Sequence, residues 1–285
     1  MVNKYIDLHT HTNYSDGIYN TPQQLVGAAA CRGIDILAKT DHDTLNGIVE
    51  AKREGEKLGV LVLSGVEITT PKYHLLALGF HSSNRFRDFI KSSEAIQEKI
   101  VAQRIEALKL VNVPITLDKV KARFPESRLG KYNLLWTCLE DEGCREYFAK
   151  TGQSLYPKEL LQYFFGKKGV ALIDKLEPEI RVEDAVREVH AAGGIIGIAH
   201  PEKDVQDVKE LEILVKQGID FIERQPNIRH LNPEKTKMVD DFVERTGMPV
   251  SYGSDYHGTT FSRPLLERDK NILSEDLAGL LRIEL

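Results

Sequence analysis

The chain of 285 residues is 41% hydrophobic and 28% charged, as expected of a soluble globular protein, and no run reaches the roughly 18 apolar residues a membrane helix needs. A net charge of −5 argues against bulk electrostatic attraction to nucleic acid, though it leaves a local basic patch open. Three cysteines, Cys31, Cys138 and Cys144, form no paired framework, and "MVNKYIDLHT" lacks the apolar core of a secretory signal, so a reduced cytoplasmic setting is expected.

The first third alternates between two textures. "YIDLH" (5–9) reads as a buried strand. "TPQQLVGAAACR" (21–32) reads as a helix: Thr21 caps it, Pro22 suits the first helical position and Gln24 closes a capping box. "IDILAKT" (34–40) is a strand, "NGIVEAKREGEKLG" (46–59) a helix ended by Gly59, and "VLVLSGVEI" (60–68) a strand. Such spacing implies parallel pairing through crossovers. The segment before "YHLLALGF" is too short for a crossover, so that strand is predicted antiparallel to its predecessor.

From 84 to 168 the pattern is helical, charged and aromatic, with "NRFRDFIKSSEAIQEKIVAQRIEALKLV" as its longest helix. This is expected to be an insertion, a lid or cap subdomain; extra helices on the barrel wall are the alternative. The first texture then returns in "RVEDAVREVHAAGG", "IIGIAH", "VKELEILVKQG", "IDFIE", "PEKTKMVDDFVERTG" and "PVSYGS". The expected fold class is α/β, a barrel-like sheet of about seven strands at 1–83 and 169–285 with a helical insertion subdomain at 84–168.

Candidate ligands recur at the ends of these strands: His9 and His11 after strand 1, Asp41, His42 and Asp43 after strand 2, Glu67 on strand 3, His200 after strand 5, Asp255 and His257 after strand 7. In barrels of parallel strands, function gathers at this end, where loops converge on a rigid scaffold. His9 and His11 share one face of their strand by its period of two. His74 starts the antiparallel strand and should lie near Glu67, whereas His81 falls at the far end. Histidine with carboxylate and no thiolate suits Zn, Mn or Fe. Single residues have plainer roles: Asp16 is a good turn residue, Asp43 a candidate cap for the helix at 46, and His190 a structural group on a helix. His230 is equally a supporting or a substrate-facing residue.

"DLHTHTNYSDG", "KTDHD", "GVEIT", "IAHP" and "GSDYH", in this order, resemble the motifs of the PHP (polymerase and histidinol phosphatase) family over about residues 3–80 and 180–260. The resemblance implies a distorted (β/α)7 barrel that binds two or three divalent ions and hydrolyses phosphoesters. Carried over by position, it implies three sites: His9, His11, Glu67 and Asp255; Glu67, His74 and His200; Asp16, His42 and His257. The insertion and "AGGIIGIAHP" look most like the stand-alone branch that removes phosphate from nucleotides or trims RNA. Lys39 stands where the family has a small or apolar residue; by alternation it faces out or lines the rim. "ERQPN" replaces a small polar segment, and Lys131 a position that suits an arginine phosphate clamp.

The expected chemistry is hydrolysis of a small phosphorylated substrate, a nucleotide or short RNA, by a metal-activated hydroxide, with no membrane partner. Arg104, Arg128 and Lys131 are candidates to grip phosphate. Trp136 or Tyr132 could stack on a base, although a helix-core role suits them too. His200 or His257 could act near the leaving group if one metal is absent. Competing expectations are hydrolysis of an amide or lactone, histidinol phosphate as substrate, and a metal-holding regulatory module without chemistry.

Overall fold

The computed structural model describes residues 3–173, 180–225, 232–258, 264–266 and 271–284. It divides into two compact units, Met1–Ser93 with Glu179–Leu285, and Glu94–Pro178. The first opens with β1 (Ile6–Thr10), α1 (Pro22–Cys31), β2 (Ile36–Lys39), α2 (Ile48–Leu58), β3 (Leu61–Thr69), β4 (His74–Leu78) and the start of α3 (Asn84–Leu110). The second holds the rest of α3 with α4 (Leu117–Arg123), α5 (Lys131–Glu140), α6 (Glu142–Thr151) and α7 (Pro157–Phe165). The chain returns to the first through α8 (Val182–Ala191), β5 (Ile195–Ile198), α9 (Pro201–Asp204), α10 (Val208–Lys216), β6 (Phe221–Arg224), α11 (Pro233–Thr246), β7 (Val250–Tyr252) and α12 (Glu275–Leu281).

The seven strands lie in sequence order in one sheet. Every neighbouring pair is parallel except the two that involve β4, which runs against both β3 and β5. A short link joins β3 to β4, so the chain can only turn back on itself there. The ring closes between its first and last strands: Asp255 N–H donates to His9 O at 2.9 Å and His11 N–H to Tyr256 O at 2.7 Å. This is a distorted seven-stranded β/α barrel.

Apolar side chains fill the lower barrel. Ile6, Leu8, Ile36, Leu76, Leu78, Ile195 and Phe221 form one cluster with Leu273 and Leu277 from the α12 region. Around the wall, α1 and α2 bury Leu25, Val26 and Ala51 against Leu37 and Val62. On the other side α8, α10 and α11 pack Val189, Leu214 and Phe242 with Val66, Ile68 and Ile198. Phe86 and Ile90 join this cluster, so the first turns of α3 belong to the barrel unit and the division falls inside that helix.

Local signals account for the helix ends. Thr21 accepts from Gln24 N, Gln24 closes the box and Pro22 occupies the first turn of α1. Gly59 ends α2 in the left-handed conformation, which costs glycine nothing. Asp43 does not cap α2, contrary to expectation. Gly47 occupies that position, while Asp43 accepts from Thr69 N at 2.8 Å, Thr69 Oγ1 at 2.7 Å and Ser93 Oγ at 2.8 Å. The chain turns sharply at Asp43, where φ is 47°, and aims the carboxylate at the end of β3 instead.

Within the helical unit, Leu108, Val120, Leu134, Phe148, Leu160 and Phe164 are buried. Cys138 and Cys144 are buried free thiols and Cys31 is exposed. Among the described residues no helix is long and apolar enough to cross a membrane.

Candidate metal centre

The polar residues of the barrel collect at the end opposite α12. His9 Nε2 and His11 Nε2 lie 3.0 Å apart. Both face Glu67 Oε2, at 3.2 and 3.3 Å, and Asp255 Oδ1, at 3.5 and 3.2 Å. The β1–β2 register shifts between Asp7 and Thr10, so Leu8 packs in the apolar interior while the next side chain, His9, meets Glu67. The other oxygen, Glu67 Oε1, receives His74 Nδ1 at 2.9 Å and His200 Nε2 at 3.1 Å. His42 also reaches this carboxylate, with Nδ1 at 3.0 Å from Oε2. Beside it, Asp16 Oδ2 faces His257 Nε2 at 3.1 Å and His42 Nε2 at 3.5 Å, and Asp16 Oδ1 faces His11 Nδ1 at 3.5 Å.

Among the described residues, three groups of ligand atoms are compact enough to hold an ion: His9, His11, Glu67 and Asp255; His11, Asp16, His42 and His257; and His42, Glu67 and His74. The resemblance groups His42 with Asp16 and His257, and the structure puts it against Glu67 as well. Separations of 3.0–3.5 Å in the first group match the roughly 3.4 Å edge of a tetrahedron of N and O ligands about 2.1 Å from a cation. Glu67 Oε2, His11 Nδ1 and His42 Nδ1 are buried and make no hydrogen bond. Buried polar atoms normally find partners, so lone pairs converging without hydrogen bonds fit a cation.

Charge balance agrees. Burial and the neighbouring His257 hold His11 well below its ordinary pKa, leaving it neutral and able to donate a lone pair. Burial likewise lowers His74. Burial alone would raise Asp16, but His257, His42 and His11 overcome it and keep the carboxylate well below its usual range. Glu67 is held low against the same burial by His42, His9 and His74. His200 and Asp255 have left-handed backbones, with φ of 31° and 54°, an uncommon conformation that clusters at functional sites.

The family model described as PHP domain matches residues 7–146. A phosphoribosyl 1,2-cyclic phosphate 1,2-diphosphodiesterase from Eggerthella lenta is 30% identical over 267 residues, 88% of this chain and 94% of the relative. The chain belongs to the PHP family. A 5'-3' exoribonuclease from Haemophilus influenzae is 29% identical over 281 residues, 95% of each chain. A solved structure from Bifidobacterium adolescentis shares the fold, with TM-score 0.79 and 24% identity over 98% of this chain and 95% of that one.

In this PHP chain the sequence reading missed the residues that hold the cluster in place. Glu223, on β6, accepts from His9 Nδ1 at 2.7 Å and from His200 N at 2.6 Å. Asp204 lies 3.0 Å from His200 Nδ1. Asp7 accepts from Ser254 N at 3.0 Å and Leu266 N at 3.1 Å, pinning the loop that carries Asp255. Burial pushes Asp7 up to about 6 despite those bonds. The only available sign was a carboxylate in an otherwise apolar strand, as in "FIER" or "YIDLH", which burial makes costly unless it is bonded.

Lys39 neither reaches solvent nor lines the rim. It is fully buried, with Nζ 2.6 Å from Asp41 Oδ2 and 5.7 Å from the centre of the Tyr14 ring. It does face away from the barrel interior, but α2 covers that face, and a Cβ at Gly47 would lie 3.0 Å from Lys39 Cε. Of the remaining candidates, His81 is exposed, and His190 bonds Asp220 at 2.8 Å on α8. His230 lies outside the described residues. Arg104, Arg128 and Lys131 belong to the helical unit. There Arg104 stacks 5.1 Å over Phe165, and burial and the like charge of Arg128 lower its pKa to about 10. Lys131 lies 5.0 Å over Tyr132.

Glycine 253 has a steric role. A Cβ there would fall 2.3 Å from both Glu223 Oε1 and His9 Cβ. Gly253→Ala is therefore expected to cost about 1–3 kcal/mol of stability. Thermal unfolding of the purified variant checks this, and an unchanged Tm would contradict it.

Proposed function

We propose that this protein is a metal-dependent phosphoesterase that acts on a nucleotide or short oligonucleotide phosphate. The observation that carries the reading is Glu67: each of its two oxygens faces a different set of imidazoles, the arrangement of a carboxylate shared between two cations. The proposed ligands are His9, His11, Glu67 and Asp255 for one ion, and Glu67, His74 and His200 for a second, with His42 beside it. Asp16, His42 and His257, with His11 in reach, would hold a third. Divalent ions held there would lower the pKa of a bound water and stabilise charge on phosphate oxygens.

The residues themselves arrange the reaction. His9 donates its Nδ1 proton to Glu223, which turns Nε2 toward the centre. His257 does the same through Nδ1 and the carbonyl of Asp255 at 2.7 Å. The apolar lower barrel closes the opposite side, so water and substrate must enter from the loop end. Relatives named as an exoribonuclease and a cyclic phosphate diphosphodiesterase support phosphoesters of nucleotide or sugar-phosphate type.

The test is a substrate panel with the protein loaded with Mn²⁺ or Zn²⁺: aryl phosphate, nucleoside phosphates, a 5'-phosphorylated short RNA, histidinol phosphate, a cyclic phosphodiester and cyclic amides. Hydrolysis of phosphoesters that stops on chelation is expected. Turnover of amides alone, or bound metal with no turnover, would contradict the reading.

A pH dependence follows for metal uptake. Burial disfavours charge on His9, but the carboxylates of Glu223 and Glu67 outweigh it and push its pKa up to about 10. At neutral pH the metal-free protein therefore holds a proton that the cation must displace. Affinity for Mn²⁺ should rise by about tenfold per pH unit between pH 7 and 9, with proton release on binding. Competition with a chelator across that range measures it; a flat profile would contradict it.

A further inference from the structure

From the geometry we infer that Glu223 is a positioning residue that sets two proposed metal sites at once, by holding one ligand of each. The inference rests on the metal reading above and names a residue outside the ligand set.

Glu223 is fully buried at the end of β6. Each oxygen has a separate task. Oε1 accepts the Nδ1–H of His9 at 2.7 Å, so His9 presents Nε2 to Glu67 and Asp255. Oε2 accepts the backbone N–H of His200 at 2.6 Å, at the residue where the chain bends into a left-handed conformation. That bend brings His200 Nε2 to the opposite oxygen of Glu67. Gln225 Nε2 donates to Oε2 at 3.2 Å and steadies the carboxylate from the third side.

Two features indicate a built arrangement. Gly253 leaves the space that Glu223 Oε1 occupies, since a Cβ there would fall 2.3 Å from it. Asp204 provides a comparison, because it reaches only the side chain of His200. Glu223, outside the proposed ligand set, bonds both His9 and His200. A ligand whose second nitrogen is fixed by a carboxylate keeps its orientation and its basicity toward the ion. Glu223→Gln keeps the shape but offers a single acceptor oxygen, so either His9 Nδ1–H or His200 N–H loses its partner.

The experiment measures Mn²⁺ affinity of wild type, E223Q and E223D by competition with a metal-binding dye, beside unfolding of the metal-free proteins and steady-state kinetics. E223Q is expected to bind Mn²⁺ about 10- to 100-fold more weakly. Its kcat should fall and its KM for a nucleoside phosphate stay the same. E223D keeps the charge but withdraws the carboxylate by one methylene, and it too should bind more weakly, which a purely electrostatic role would not produce. Wild-type affinity in a folded E223Q would overturn the inference; if E223Q does not fold, wild-type affinity in E223D would do so. A wild-type protein that takes up no metal would overturn the metal reading together with this inference, whereas a metal-loaded, active wild type with an unaffected E223Q would overturn this inference alone.

Discussion

Glu67→Gln is expected to lower phosphoester hydrolysis on the order of 10³-fold or more and to reduce the number of ions bound per chain. The substitution is nearly isosteric, so the fold should persist while the shared carboxylate is lost. Glu67 Oε2 faces His9, His11 and His42 within 3.3 Å, and Oε1 faces His74 and His200 within 3.1 Å. An amide supplies one acceptor, and it turns an N–H₂ toward nitrogen lone pairs or toward a cation. Stabilisation of charge by bound ions is worth several kcal/mol, and each 1.4 kcal/mol is about tenfold in rate. Metal content by elemental analysis and kcat/KM for a nucleoside phosphate check the prediction. Activity within tenfold of wild type, with the full complement of metal, would contradict it.

The second large effect concerns stability. Lys39→Met should cost about 3–5 kcal/mol, roughly 10 °C in Tm, because it strands the buried charge of Asp41. Asp41 is completely buried. It accepts from Thr12 N at 2.8 Å, Thr12 Oγ1 at 2.6 Å and Ser15 Oγ at 2.5 Å, and Lys39 supplies its counter-charge. Burial lowers the pKa of Lys39, and Asp41 offsets only part of that effect. The double variant K39M/D41N should lose less than K39M alone, since it leaves no unpaired charge. Asp41 anchors the loop that carries Asp16, so K39M should also weaken metal binding at the proposed site of Asp16, His42 and His257. Thermal unfolding and metal titration of wild type, K39M, D41N and K39M/D41N test this; additive losses in the double variant would contradict it.

Lys39 also illustrates what the sequence conceals. Its alternation with Thr40 and Asp41 correctly turns it away from the barrel interior, but alternation cannot reveal that α2 roofs the outer face. A lysine there is buried among Tyr14, Asp41 and the end of α2 rather than solvated. Asp43 failed for a similar reason: an aspartate before a helix reads as a cap, and only the turn at φ 47° shows that it bonds Thr69.

The strands and their order were legible because apolar runs separated by amphipathic helices leave few topologies. The antiparallel β4 follows from a linker too short for a crossover, and that alone places His74 beside Glu67. The supporting carboxylates were not legible. Glu223 looks like an ordinary acidic residue, and its partner His9 lies far away in the chain. Asp204 lies only four residues from His200, but the left-handed turn at His200 that brings them together leaves no mark in the sequence. His42 could be placed at a strand end but not assigned its contact with both Glu67 and Asp16, because that depends on how loops after β1 and β2 fold over one another.

The most direct measurement is anomalous diffraction from crystals grown with excess Mn²⁺ or Zn²⁺. Peaks are expected on both sides of the Glu67 carboxylate, one ringed by His9, His11 and Asp255 and one facing His74 and His200. Crystals that hold no anomalous density among these side chains, despite ample metal in solution, would contradict the account.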